Sequence, residues 1–273
     1  MSSFLSTRGR RIGLLLLAVS IAGASSAGDV LVAGPDRDNT LYERVAGDVS
    51  NGAGSWLFVG RTGVNAGERL RRALLRFDVS AIPPGATITS VELVVEVDRV
   101  PPGATAFIGG LHRMLADWGE AGSDAPGPEG GGAPAEPGDA TWLHRFHDTV
   151  FWSTAGGDFE AVPSGTADFG PGTGTTTFAS TAGLVSDVQG WVDAPATNHG
   201  WILVGEESNP LNARRIGSRE NAVIPPVLQV GFEPPPPLPE TRSVPVLTPV
   251  PTVLFLALVL VVGLVAVRGR GAG

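Results

Sequence analysis

The sequence predicts an all-β domain, a sandwich or barrel, set between two hydrophobic ends. Three observations carry that expectation. Gly and Pro number 38 and 23 of 273 residues, enough to cut the chain into short apolar runs bounded by turns, the spacing of a sandwich or barrel. The segment Ile88–Asp98 alternates, with Val91, Leu93, Val95 and Val97 on one side and Ser90, Glu92, Val94 and Glu96 on the other. One face is apolar and the other carries two carboxylates, as a half-buried strand requires. Only Thr181 to Asp193 has a helical period: Leu184, Val188, Trp191 and Val192 form a single stripe, with Thr181 as N-cap and Pro195 as the stop.

Taken in order, residues 1–27 read as a signal peptide. Arg8, Arg10 and Arg11 precede the apolar run Ile12–Ile21, and Ser25 and Ala27 stand at the −3 and −1 positions of a cleavage site. That run is shorter than the roughly 20 residues a span needs. Residues 28–232 form the domain. Its expected strands are Asp29–Ala33, Thr40–Arg44, Ser55–Arg61, Arg71–Asp78, Ile88–Asp98, Ala106–Leu115, Thr141–Arg145, Thr175–Ala179, Gly200–Glu206, Ala213–Ser218 and Val227–Phe232. The one short helix should cap an open end of the sandwich. Two long loops, Gly119–Gly138 and Gly156–Gly174, are rich in Gly and long enough to carry function.

Residues 233–251 are a Pro-rich linker, stiff at roughly 3.1 Å per residue where prolines adjoin. Thr252–Val267 is an apolar transmembrane or sorting segment, and residues 268–273 are a basic end whose Arg268 and Arg270 should stay cytoplasmic. The protein is therefore expected outside the cell, at the surface or anchored in the membrane. Leu238-Pro239-Glu240-Thr241-Arg242 resembles a sortase signal, with Arg242 where that signal has Gly. The order of prolines, hydrophobic run and arginines resembles PEP-CTERM-like tails. A sorting enzyme, simple anchoring and sortase all remain open.

All 19 basic side chains are arginine. Without residues 1–27, the 27 acids face 16 arginines, a net charge near −11. So acidic a chain lacks the basic footprint that nucleic acid demands. Cysteine is absent, so stability must come from a large core or a bound metal.

Several segments share an order and spacing. They are Asp38-Asn39-Thr40-Leu41-Tyr42-Glu43, Trp56 to Arg61, Arg72-Ala73-Leu74-Leu75-Arg76-Phe77-Asp78 and Ile82 to Ile88. Leu111-His112-Arg113, Ala116 to Glu120, Gly138 to Trp142, Val188 to Trp191 and Ser218-Arg219-Glu220 follow. Together they resemble the DNRLRE domain family, related to disaggregatase repeats, over roughly Asp29 to Phe232. The resemblance implies a single jelly-roll-like β-sandwich and, in some members, carbohydrate binding with acidic polysaccharides such as alginate among the ligands.

Three constellations could carry chemistry. Arg72 and Arg76, with Arg214, Arg215 or Arg219, could form a guanidinium row for sugar carboxylates. The alternative pairs Arg76 and Arg219 with Asp78, Glu92 or Glu220 across strands. Trp118, Trp142 and Trp152 adjoin the long loops and could be exposed stacking platforms for a pyranose, whereas Trp56, Trp191 and Trp201 belong to the core. Asp117, Glu120, Asp124 and Asp139, with Glu129 and Glu136, make a carboxylate-rich stretch suited to Ca²⁺; Asp36, Asp38 and Asn39 form a second possible site. Against these stand a solvated loop and packed indoles.

Catalysis has the weakest basis. The sequence offers no nucleophile elbow, and His144 and His147 would fall on opposite faces of a strand. The expected function is a non-catalytic, surface-displayed module binding extracellular polysaccharide. The rival is a structural or adhesive envelope protein with no glycan ligand.

Overall fold

The computed structural model describes residues 28–237. The expected signal peptide, most of the linker and the apolar segment 252–267 lie outside the described residues, among which no helix is long and apolar enough to cross a membrane. The described chain is all-β. Its strands are β1 (Asp29–Ala33), β2 (Arg37–Tyr42), β3 (Val49–Ser50), β4 (Trp56–Arg61), β5 (Leu70–Arg76), β6 (Thr87–Arg99), β7 (Phe107–Arg113) and β8 (Ala133–Pro134). There follow β9 (His144–Phe146), β10 (Val150–Phe151), β11 (Gly165–Phe169), β12 (Gly174–Phe178), helix α1 (Ala182–Asp193), β13 (Trp201–Val204), β14 (Arg214–Gly217) and β15 (Val227–Glu233).

Eleven strands make one curled antiparallel sheet in the order β1-β15-β6-β14-β4-β5-β13-β7-β11, with β12 also on β6 and β2 also on β5. The two halves meet along β4. That strand pairs with β14 over its whole inner length, then passes to β5 through Gly60↔Arg71 and Arg61↔Leu70. The alternating face of β6 points inward as expected: Val91, Leu93, Val95 and Val97 are buried against Leu75, Phe77, Ile216 and Leu228. The stripe of α1 closes the same core, where the rings of Trp191 and Trp201 lie 4.5 Å apart. Thr181 caps the helix by accepting the Leu184 N–H at 3.1 Å.

A second layer was not foreseen. Strands β2, β5 and β13 are buried on both faces, because Leu41, Leu74 and Ile202 point away from the main core into another cluster. Met114, Trp118, Ala140, Trp142 and Trp152 complete it. This corrects the expectation that the three loop-side tryptophans are exposed platforms. They retain only 0%, 8% and 5% of their surface, since they cover apolar side chains that would otherwise face water. Two of the indole N–H groups are satisfied inside the layer, Trp118 donating to the His199 carbonyl and Trp152 to the Thr141 carbonyl, both at 2.8 Å.

Local chemistry explains the shifted strand boundaries. Thr141 Oγ1 accepts the N–H groups of Leu143 and His144, a side-chain turn that competes with extension. The strand expected at Thr141 therefore starts at His144 and pairs with β10. Strand β2 begins three residues early because its ladder with β5 runs from Arg37↔Arg76 to Tyr42↔Arg71. Strand β11 lies within the expected loop Gly156–Gly174, its Ala167 and Phe169 buried in the main core.

Candidate functional site

The expected ligand row is divided among structural partners. Arg72 makes a bidentate pair with Glu207 at 2.7 and 2.9 Å, donates to the Gly156 carbonyl at 2.8 Å, and sits 4.9 Å over the Trp142 ring. Arg76 pairs with Asp36, not Asp78, its Nε lying 3.1 Å from a carboxylate oxygen. Arg219 pairs with Glu120 and with Glu220. The second layer supplies most of the apolar surroundings of Arg72, so its guanidinium is an anchor for that layer.

The expected metal ligands also separate. Asp117 pairs with Arg37 at 2.9 Å. Asp139 is fully buried, its two oxygens accepting the N–H groups of Ala121 and Glu136 at 2.7 and 2.8 Å, which pins the two ends of the acidic loop together. Asp124 is exposed. Glu120 alone of the four joins a carboxylate group, with Asp38 and Glu220. The rings of His144 and His147 lie 5.3 Å apart, not on opposite faces, because the strand ends between them at Phe146.

A different feature draws arginines together. Where β4 ends and β5 and β14 begin, a cleft of about 730 Å³ is lined by Arg44, Arg69, Arg71, Arg99, Arg214 and Arg215, and by no carboxylate. Its floor comes from the sheet and its walls from the turns after β4 and β6 and from the Pro128–Gly131 stretch of the acidic loop. Pro101, Pro102 and Pro128 stiffen those walls. Gly60 belongs here by necessity: its φ is +99°, and a Cβ would lie 2.7 Å from the Asn212 carbonyl oxygen.

The six guanidiniums fall into two kinds. Arg71 is buried, stacked 4.7 Å over the Tyr42 ring, and donates to the carbonyls of Leu70 and Gly130. Arg214 is wholly buried, donates to the carbonyls of Asn212, Thr105 and Gly170, and lies 4.9 Å over Phe107. These two hold the cleft together. Arg44, Arg69 and Arg99 reach solvent, while Arg215 is held by Asp98 and the Trp56 ring.

Among the described residues no carboxylate lies within ion-pair distance of Arg44, Arg69, Arg71, Arg99 or Arg214. The Nε atoms of Arg44, Arg71 and Arg214 are buried without a hydrogen-bond partner. Burial brings Arg71 down to about 10 and lowers Arg214, and it raises Tyr42. Each shift marks a charge or polar group removed from water with less than full compensation. A planar anion in the cleft would meet the solvent-reaching forks of Arg44, Arg69 and Arg99.

A signal for Arg71 was present in the sequence. It shares the inward face of its strand with Ala73, Leu75 and Phe77, just as Arg214 shares a face with Ile216. An arginine on the core side within the first two residues of a strand belongs at the mouth of the sheet. The contributions of Arg44 and Arg69 depend on turns that no periodicity reveals, and that of Arg99 on the pairing of the end of β6 with β14. No family model matches the chain, and no curated protein matches it.

Proposed function

We propose that this chain is a non-catalytic binding module for an acidic extracellular polysaccharide, displayed outside the cell, and that the arginine-lined cleft receives uronate carboxylates. The observation that carries the reading is a cluster in which five of six guanidiniums have no carboxylate within ion-pair distance among the described residues, in a chain whose net charge is strongly negative. Ordinary structural arginines in so acidic a protein would find acids, as Arg72, Arg76 and Arg219 do. The leader-like residues 1–27 and the apolar tail support export and anchoring. The resemblance to the DNRLRE family supports both a jelly-roll-like sandwich and a carbohydrate ligand.

The rival, a structural envelope protein without a glycan, is favoured by one observation: the burial of Trp118, Trp142 and Trp152, which removes the stacking surfaces usual for sugars. Titration of the protein with oligouronates, a neutral glucan and a single-stranded oligonucleotide separates the readings. The expected result is uronate binding that falls at least tenfold in an Arg69→Ala, Arg99→Ala double variant. No uronate binding favours the structural role, and tighter oligonucleotide binding overturns the choice of ligand.

A further inference from the structure

At the other end of β2, β5 and β14, three distant segments bring carboxylates together. Asp38 comes from β2, Glu120 from the start of the acidic loop, and Glu220 from the turn after β14, with one oxygen from each inside a mutual spacing of 4.8 Å. We propose that Asp38, Glu120 and Glu220 form a binding site for a divalent, oxygen-seeking cation, of which Ca²⁺ fits best.

The proposal rests on more than an accumulation of acids. Asp38 has no exposed surface. One of its oxygens accepts the Arg219 N–H at 2.7 Å, and the other, Oδ1, is buried with no partner. Glu220 repeats the pattern: Oε1 meets the Arg219 guanidinium at 2.9 Å while Oε2 is buried and unpartnered. Two of the three carboxylates thus each present an unsatisfied oxygen. A buried acceptor left unmade is costly, and for a charged group more so.

The charge balance points the same way. Among the described residues Arg219 is the one cation that contacts the group, bonded to Glu120 as well as Glu220. Glu120 also accepts the Asp38 N–H at 2.9 Å. A single guanidinium faces three carboxylates, leaving an excess that one divalent ion would remove. Burial raises the affinity of Asp38 and of Glu120 for protons, as expected where compensating positive charge is missing. The spacing suits the ion: ligands at about 2.4 Å from a common Ca²⁺ lie no more than about 4.8 Å apart, and water completes the shell. Mg²⁺ demands near-ideal octahedral geometry, dehydrates reluctantly and is usually held by one or two carboxylates rather than three.

Calorimetric titration of CaCl₂ into the chelator-treated full chain tests this. The expected result is saturable binding of about one ion per chain, weakened at least tenfold by Asp38→Asn and by Glu220→Gln. Asp124→Asn, an exposed acid of the same loop, should bind as the parent does. Thermal melting in chelator checks that each variant folds, and Glu220→Gln serves if Asp38→Asn does not. Absence of saturable binding, or equal losses in all three variants, overturns the site. So does a chain that Ca²⁺ leaves unchanged but Asp38→Asn stabilises, because a proton would then be the only partner Asp38 needs.

Discussion

The two ends of the sheet region formed by β2, β5, β4 and β14 carry opposite imbalances. Among the described residues, five guanidiniums at one end have no carboxylate within ion-pair distance, and at the other three carboxylates share one guanidinium. Asp38 and Tyr42, which mark the two ends on β2, stand four residues apart, roughly 14 Å at a strand's rise. A net charge near −11 conceals this segregation. Stability alone would favour exchanging partners across the molecule, since a buried ion without a partner is strongly unfavourable. Keeping both sets apart leaves each end able to take up a ligand of the opposite sign, and Arg72, Arg76 and Arg215 show what ordinary pairing looks like in the same fold.

The sharpest test of the comparison lies within the arginine end. Arg214→Ala removes a buried donor to three carbonyls and should cost roughly 3 kcal/mol or more, whereas Arg99→Ala should stay within about 0.5 kcal/mol. Denaturant unfolding of both variants measures the gap. Equal costs would erase the division between anchoring and ligand-facing guanidiniums.

Salt comes next. Uronate binding at exposed guanidiniums should weaken about tenfold or more, about 1.4 kcal/mol, between 0.1 and 1 M salt, as the Debye length contracts from about 10 to 3 Å. Affinity that ignores salt would mean that the cleft binds through its apolar walls.

The smallest effect concerns the carboxylate end. Asp38 has a folded pKa above its ordinary 3.8, so the native state keeps a proton that the unfolded chain releases. Without a metal, its contribution to stability is therefore lost as pH rises through the interval between those values, and it stays lost above. Glu120 has the same sign; Arg219 and Glu220 are the other charged groups facing Asp38. In chelator, Asp38→Asn should gain on the parent as pH rises above about 4. Urea midpoints across pH report it. A difference that does not change with pH would place the proton elsewhere.

Much of the fold could be read from residues alone, because the alternation in β6 and the stripe in α1 are signals of single elements. The second layer could not. Leu41, Leu74 and Ile202 each sit on the outer face of a strand, a hint of cover, yet the covering chain has almost no regular structure and so no period to detect. The sites followed the same division. Arg214 and Arg215 are candidates by their charge alone, but the cleft also needs Arg44 and Arg69 from turns and Arg99 from the far end of β6. Asp38, Glu120 and Glu220 stand up to 182 positions apart in the chain, and only the register of β2 and β14 brings them together.

The covering layer has a further consequence for how the molecule opens. Gly119 and Gly138 touch so closely that a Cβ on Gly119 would lie on the Gly138 carbonyl oxygen. Backbone bonds from Gly119 to Arg145, Ala140 to Gly119, Trp152 to Leu143 and Gly156 to Trp142 tie the surrounding coil. Amides in such a stretch exchange with solvent only when the layer lifts from β5 and β13. In deuterium the irregular chain from Trp118 to Gly156 should hold those protons far longer than the outermost strand β1, whose Val30 and Val32 stand mostly in water.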